Sequence, residues 1–98
     1  MVIKWNKTAT RQLLDAIDFI ENAGYAEYAI ELEKEILQRI RQLPDNPNLY
    51  PVDRFRKSNN DNNYRAFTVD NYRISYRIGN NEIGIVRIRH TSRRVKKY

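Results

Sequence analysis

The chain has 98 residues and a formal net charge of +6, which leaves room for one domain, residues 1–98, with one modest core. It contains no cysteine, so disulfide scaffolds, thiolate metal sites and cysteine nucleophiles are excluded. Apolar residues make up 41% and aromatics 11%, enough for a globular rather than a disordered chain. No apolar run approaches the ~18 residues of a membrane span, and Met1–Asn6 lacks an apolar signal region. The protein is therefore expected to be soluble and cytoplasmic, with no membrane partner.

In chain order, Val2–Trp5 is a short strand candidate. Asn6 or Thr8 is placed to cap a helix in which Ala9, Leu13, Ala16, Ile17 and Ile20 follow helical spacing. Ala23-Gly24 ends it, since glycine readily takes the left-handed position after a helix. Tyr25, Tyr28, Ala29, Leu32, Ile36, Ile40 and Leu43 form the stripe of a second helix, stopped by Pro44. Residues 44–63 are turn and loop chemistry, rich in Pro and Asn. Strands are expected over 64–69, 72–78 and 82–89, joined at Asp70-Asn71 and Gly79-Asn80-Asn81. Alternation is clean in 72–78 and imperfect in 82–89, as for a central strand with two apolar faces or a strand with a bulge. The expected fold is α+β, in the order β-α-α-β-β-β, with the helical hairpin packed on one face of a mainly antiparallel sheet.

Charge is divided unevenly along this order. Residues 1–53 hold 6 Lys/Arg against 9 Asp/Glu, and residues 54–98 hold 12 against 3. The acidic half is mostly the solvent face of the hairpin. The basic half points to a polyanionic partner, nucleic acid first and an acidic protein second, or to a solvated basic surface. By strand parity, Arg73, Arg77 and Arg65 are expected on the sheet face away from the helices, beside a basic tail.

Several of these segments together resemble the RelE/ParE superfamily, the toxins of type II toxin–antitoxin pairs. They are the order of elements, Trp5 after the first strand, the run Tyr72-Arg73-Ile74-Ser75-Tyr76-Arg77-Ile78, and the run Ile85-Val86-Arg87-Ile88-Arg89-His90-Thr91-Ser92-Arg93-Arg94. The resemblance spans essentially the whole chain. It implies a compact β-α-α-β-β-β domain and a cognate antitoxin that covers the sheet. It also implies one of two activities. RelE-like members cut mRNA in the ribosomal A site, and ParE-like members inhibit DNA gyrase without catalysis. An inert member that only binds its antitoxin is a third alternative.

Metal-free RNA cleavage needs a base, an acid and cations on the phosphorane. The resemblance offers Arg65, Arg73, His90, Arg93 and Tyr98 for these roles, and neither metal nor other cofactor is expected. Arg73 matches a phosphate-stabilising arginine, or else pairs with Glu82 or Asp70. Arg65 suits a phosphate clamp better than a base, because guanidinium does not readily deprotonate. His90, the only histidine, is either the acid/base group or a strand-end side chain bonded to backbone. Either Arg93 or Arg94 matches the arginine of the tail. Tyr98 stacks on a base, donates a proton or frays. Arg54, Arg56, Lys57, Arg77, Arg94, Lys96 and Lys97 supply further nucleic-acid contacts. Phe67 stands where these nucleases carry a second lysine, a departure from their pattern. A toxin–antitoxin pair also predicts a short neighbouring reading frame, acidic toward one end; sequencing the flanking DNA checks it, and its absence favours the inert alternative.

Overall fold

The computed structural model describes residues 1–92 and 96–98. The elements follow the expected order: β1 (Val2–Trp5), α1 (Lys7–Asn22), α2 (Ala26–Arg41), β2 (Tyr64–Val69), β3 (Tyr72–Gly79) and β4 (Glu82–His90). Asn6 is the cap of α1; its side-chain oxygen accepts the Ala9 N–H at 2.7 Å. The helix ends in a Schellman closure. Gly24, at φ +93°, lets the Tyr25 N–H reach the Ile20 carbonyl and its own N–H reach that of Glu21.

Each helix buries one narrow stripe at spacings of three and four: Ala9, Leu13, Ile17 and Ile20 on α1, and Ala29, Leu32, Ile36 and Ile40 on α2. Tyr25 and Tyr28, expected in the second stripe, lie outside the buried one, being 65% and 42% exposed. The Tyr28 hydroxyl instead donates to Asp70 at 2.8 Å.

The sheet order is β1-β4-β3-β2, with β1 parallel to β4 and the other pairs antiparallel. Its helix-facing side carries Phe67 and Val69 from β2, Tyr72, Ile74 and Tyr76 from β3, and Ile83, Ile85 and Ile88 from β4, all within one core with the helix stripes. The irregular pattern of the last strand has both expected causes. β4 is central, and its register with β3 slips between Ser75 and Tyr76. Tyr76 faces Ile85 and Ser75 faces Arg87, so Val86 is the extra residue of a bulge. Beyond the end of β1, Gln12 of α1 accepts the Ile88 N–H at 2.7 Å and holds the helix to the strand.

The long loop is built into the sheet. Pro51 and Asp53 bond the outer edge of β2, through Ala66 N–H to Pro51 O and Asp53 N–H to Tyr64 O, around the bridge of Val52 with Arg65. This covers part of an edge that would otherwise invite pairing with another chain. Earlier in the loop, Tyr50 stacks on Phe67 at 4.5 Å and Pro47 accepts the Tyr76 hydroxyl at 2.7 Å. The core location predicts that Ile74→Ala, at a fully buried position, costs about 2–5 kcal/mol. Leu14→Ala, at a 54% exposed one, should change stability by about 0.5 kcal/mol or less. Urea denaturation of the two variants measures both.

Candidate functional site: the arginine face of the sheet

Strand alternation places Tyr64, Ala66 and Thr68 of β2, Arg73, Ser75 and Arg77 of β3, and Arg87 and Arg89 of β4 on the side away from the helices. Ser75 and Ala66 are nonetheless only 2% and 3% exposed. Residues 53–57 and 96–98 lie over them and make this face a layered site.

Asp53 organises the layer. It is 1% exposed and its carboxylate takes three hydrogen bonds. Arg73 Nη2 and the Phe55 N–H both donate to Oδ1 at 3.0 Å, and the Tyr98 hydroxyl donates to Oδ2 at 2.5 Å. The Phe55 bond is an Asx turn, which aspartate forms readily two residues ahead. Asn59 closes the loop from behind: its side chain accepts the Tyr64 N–H and donates to the carbonyls of Asp53 and Tyr64. The tail is held by its main chain as well. Tyr98 N–H donates to Phe55 O and Lys57 N–H donates to Tyr98 O, each at 2.9 Å.

Burial alone would raise the Asp53 carboxyl pKa. The bonds from Tyr98, Arg73 and the Phe55 N–H outweigh that and hold it below the ordinary carboxylate value. Burial, and then the bond to Asp53, push the Tyr98 phenol up to about 12. Tyr98 is thus a neutral phenol at physiological pH, already committed as a donor.

Aromatic rings cap most of the arginines. Arg73 lies 4.9 Å from the Phe55 centroid, with Arg54 at 5.0 Å from the same ring. Arg56 sits 4.1 Å from Tyr64 and 5.2 Å from Tyr98. Arg87 lies 4.4 Å from Tyr98 and donates to the Lys96 carbonyl. Arg77 is 5.8 Å from Tyr64 and exposed. Lys57, Lys96 and Lys97 are exposed.

Two of the expected site residues lie elsewhere. Arg65 was expected beside Arg73, but it pairs across the sheet with Tyr76 and so lies on the helix-facing side, where it donates to Tyr50 O at 2.7 Å. The physical reason is register: the pairing of β2 with β3 puts Arg65, Phe67 and Val69 opposite Tyr76, Ile74 and Tyr72. His90 pairs with Tyr72 and meets its ring edge-on at 4.9 Å, again on the helix side. Its Nδ1 accepts the Ser92 N–H at 3.0 Å and contacts the Ser92 hydroxyl. It borders a groove of about 580 Å³ with Gln12, Asp15, Ala16 and Phe19. Arg73 pairs with Asp53 rather than with Glu82 or Asp70. Arg93 and Arg94 lie outside the described residues.

Asp53, Phe55 and Arg87 were not singled out by sequence. The available signal was Asp53-Arg54-Phe55, an aspartate at a turn opening the basic cluster. Among the described residues, no group of three or more His, Asp or Glu side chains is arranged to hold a metal, and no helix is long and apolar enough to cross a membrane.

The helical hairpin backing a four-stranded sheet is the α+β fold that the resemblance to RelE/ParE superfamily toxins implies. The family model for the ParE toxin of type II toxin–antitoxin systems (parDE) matches residues 3–95, and the chain belongs to that family. Among solved structures, it is similar to a chain in a structure titled as a chromosomal ParDE toxin–antitoxin system from P. aeruginosa. The TM-score is 0.71 at 23% identity, covering 92% of this chain and 95% of that one, a likeness of fold. A comparison with curated proteins gives no match. Membership makes this chain a toxin with a cognate antitoxin as its partner.

The Asp53 cluster yields a stability prediction. Asp53→Asn removes the charge and leaves a buried donor poorly met, so stability near neutral pH should fall by about 1–3 kcal/mol. Because the folded carboxyl titrates below its unfolded value, its contribution is present above the unfolded pKa of ~3.9 and is lost as pH falls through the folded value. The gap between wild type and variant should therefore close toward acid, as urea unfolding at pH 7 and pH 3 will measure.

Proposed function

We propose that this toxin acts by binding rather than by cutting RNA, and that its target is DNA gyrase. One observation carries the first half of this proposal. The groups that RNA cleavage would gather around one phosphodiester are separated by the sheet. Arg73 and Tyr98 lie on the arginine face, while His90 and Arg65 lie on the helix side. A general acid or base must come within hydrogen-bond reach of the proton it moves, and side chains on opposite faces of a packed sheet do not meet at one phosphate. Arg73 and Tyr98 are also bonded to Asp53, which offsets the positive charge that a phosphorane would need. The second half rests on the resemblance to ParE-like gyrase inhibitors and on membership of the ParE family.

The competing proposal is a ribosome-dependent, metal-independent mRNA endonuclease built on Arg65, Arg73, His90, Arg93 and Tyr98. The basic face favours it to the extent that arginines attract phosphate. Induced expression without antitoxin, with primer extension on a translated message, separates the two. Purified toxin should inhibit gyrase supercoiling while messages stay intact, and His90→Ala should retain toxicity. Discrete cuts that vanish in His90→Ala would overturn the proposal and establish the nuclease.

A further inference from the structure

The helical hairpin exposes more apolar surface than its fold requires. Phe19, Tyr25 and Ile30 are 73%, 65% and 64% exposed, and none of them belongs to the core or packs against it. They surround the Gly24 turn: at about 1.5 Å per residue, Phe19 and Ile30 lie within about 9 Å of it along their helices. One exposed apolar side chain is ordinary, but two aromatics and an isoleucine gathered at one end of a small domain are not. Aromatic side chains are enriched where one protein surface anchors on another. Tyr28, close by in sequence, differs because its hydroxyl is committed to Asp70.

The charge around these side chains says what kind of partner fits. Residues 12–33 hold six Asp/Glu and no Lys or Arg, in a chain whose net charge is +6. Asp15, Asp18, Glu21, Glu27 and Glu31 are exposed, and the ion pairs among the described residues involve none of them. Apolar anchors inside an anionic rim complement a cationic protein surface, and the rim repels nucleic acid and anionic lipid. An enzyme that supercoils DNA must grip the duplex with Lys and Arg, so it presents a surface of that sign. The arginine face of the sheet carries the opposite charge and would be repelled by it.

We propose that the closed end of the hairpin is the surface with which this toxin docks on the cationic, DNA-gripping surface of gyrase. Phe19, Tyr25 and Ile30 are its apolar anchors, and Asp18, Glu21 and Glu27 belong to its rim. The inference rests on the proposal that gyrase is the target, and it names the face of the toxin that meets it.

The purified full chain and its variants are assayed against purified gyrase, for inhibition of supercoiling and for binding by biolayer interferometry at low and high salt. Phe19→Ser and Tyr25→Ser should each weaken both by about tenfold or more. The triple variant Asp18→Asn, Glu21→Gln, Glu27→Gln should bind more weakly at low salt and lose most of the salt dependence. Leu49→Ser, which removes a 55% exposed apolar side chain outside the hairpin, should change neither readout. Circular dichroism and urea unfolding establish that each variant is folded, as expected for positions outside the core. Wild-type toxin that neither binds nor inhibits gyrase would overturn the target and this docking together. Inhibition by the wild type that all the hairpin variants retain would overturn the docking alone. Sedimentation of the toxin by itself should show a monomer. A dimer that is lost in Phe19→Ser and Tyr25→Ser would give this surface to a second copy of the chain and overturn the proposal as well.

Discussion

A carboxylate buried among arginines must be paired, because desolvating an isolated charge costs far more than a small domain can bear. Asp53 meets that requirement with donors from three separate parts of the chain: Arg73 on the third strand, the Phe55 amide in its own loop, and the Tyr98 hydroxyl in the tail. The loop has few apolar anchors on this side, so its path depends on that pairing. Once Asp53 is fixed, Phe55 lies against Arg73, Arg56 reaches Tyr64, and the backbone of residues 55–57 is presented to the tail. The layer over the sheet is therefore a polar assembly, unlike the apolar one beneath it. Assemblies of that kind specify geometry strongly when every member is satisfied, and lose it quickly when one is removed.

The two faces of the sheet divide the work. On one, the Ile, Leu and Tyr side chains of both helices and three strands provide the bulk of the stabilisation. On the other, arginines are brought close together despite their mutual repulsion, an arrangement that adds little to stability and suits recognition of an anionic surface. The asymmetry separates the side chains that hold the fold together from those that carry its charge. The oversized loop of residues 42–63 links the two faces, stacking Tyr50 on Phe67 below and turning Asp53 onto the arginines above.

Much of this was legible in the sequence. The element order, the Asn6 cap, the Gly24 turn and both hairpin turns rest on local rules that operate over a few residues. The helix stripes were legible because four buried residues per helix recur at fixed spacing. Arg65 was misplaced because parity within one strand does not say which parity faces the core. Phe67 and Val69 do say so, since they share its alternation, and they outweigh one arginine. Asp53 was overlooked because its side-chain partners, Arg73 and Tyr98, are 20 and 45 residues away, and its one local bond, to the Phe55 N–H, does not announce them. Tyr25 and Tyr28 fell on a helical spacing that continued past the surface they could reach.

The bulge at Val86 decides which residues of β4 reach each face of the sheet. Upstream of it, Ile83 and Ile85 point inward; downstream, Ile88 and His90 do, with Arg87 and Arg89 outward. Were Val86 paired in regular alternation from Ile83, with the strand length unchanged, Arg87 and Arg89 would turn into the hydrocarbon core and His90 would come out on the arginine face. The strand thus carries two chemistries in one sequence, and their phase is set by a count of one. Deleting Val86 would restore regular alternation and still leave Arg87 and Arg89 outward and His90 inward, so the length of the strand and its bulge together hold the arginines on the outer surface.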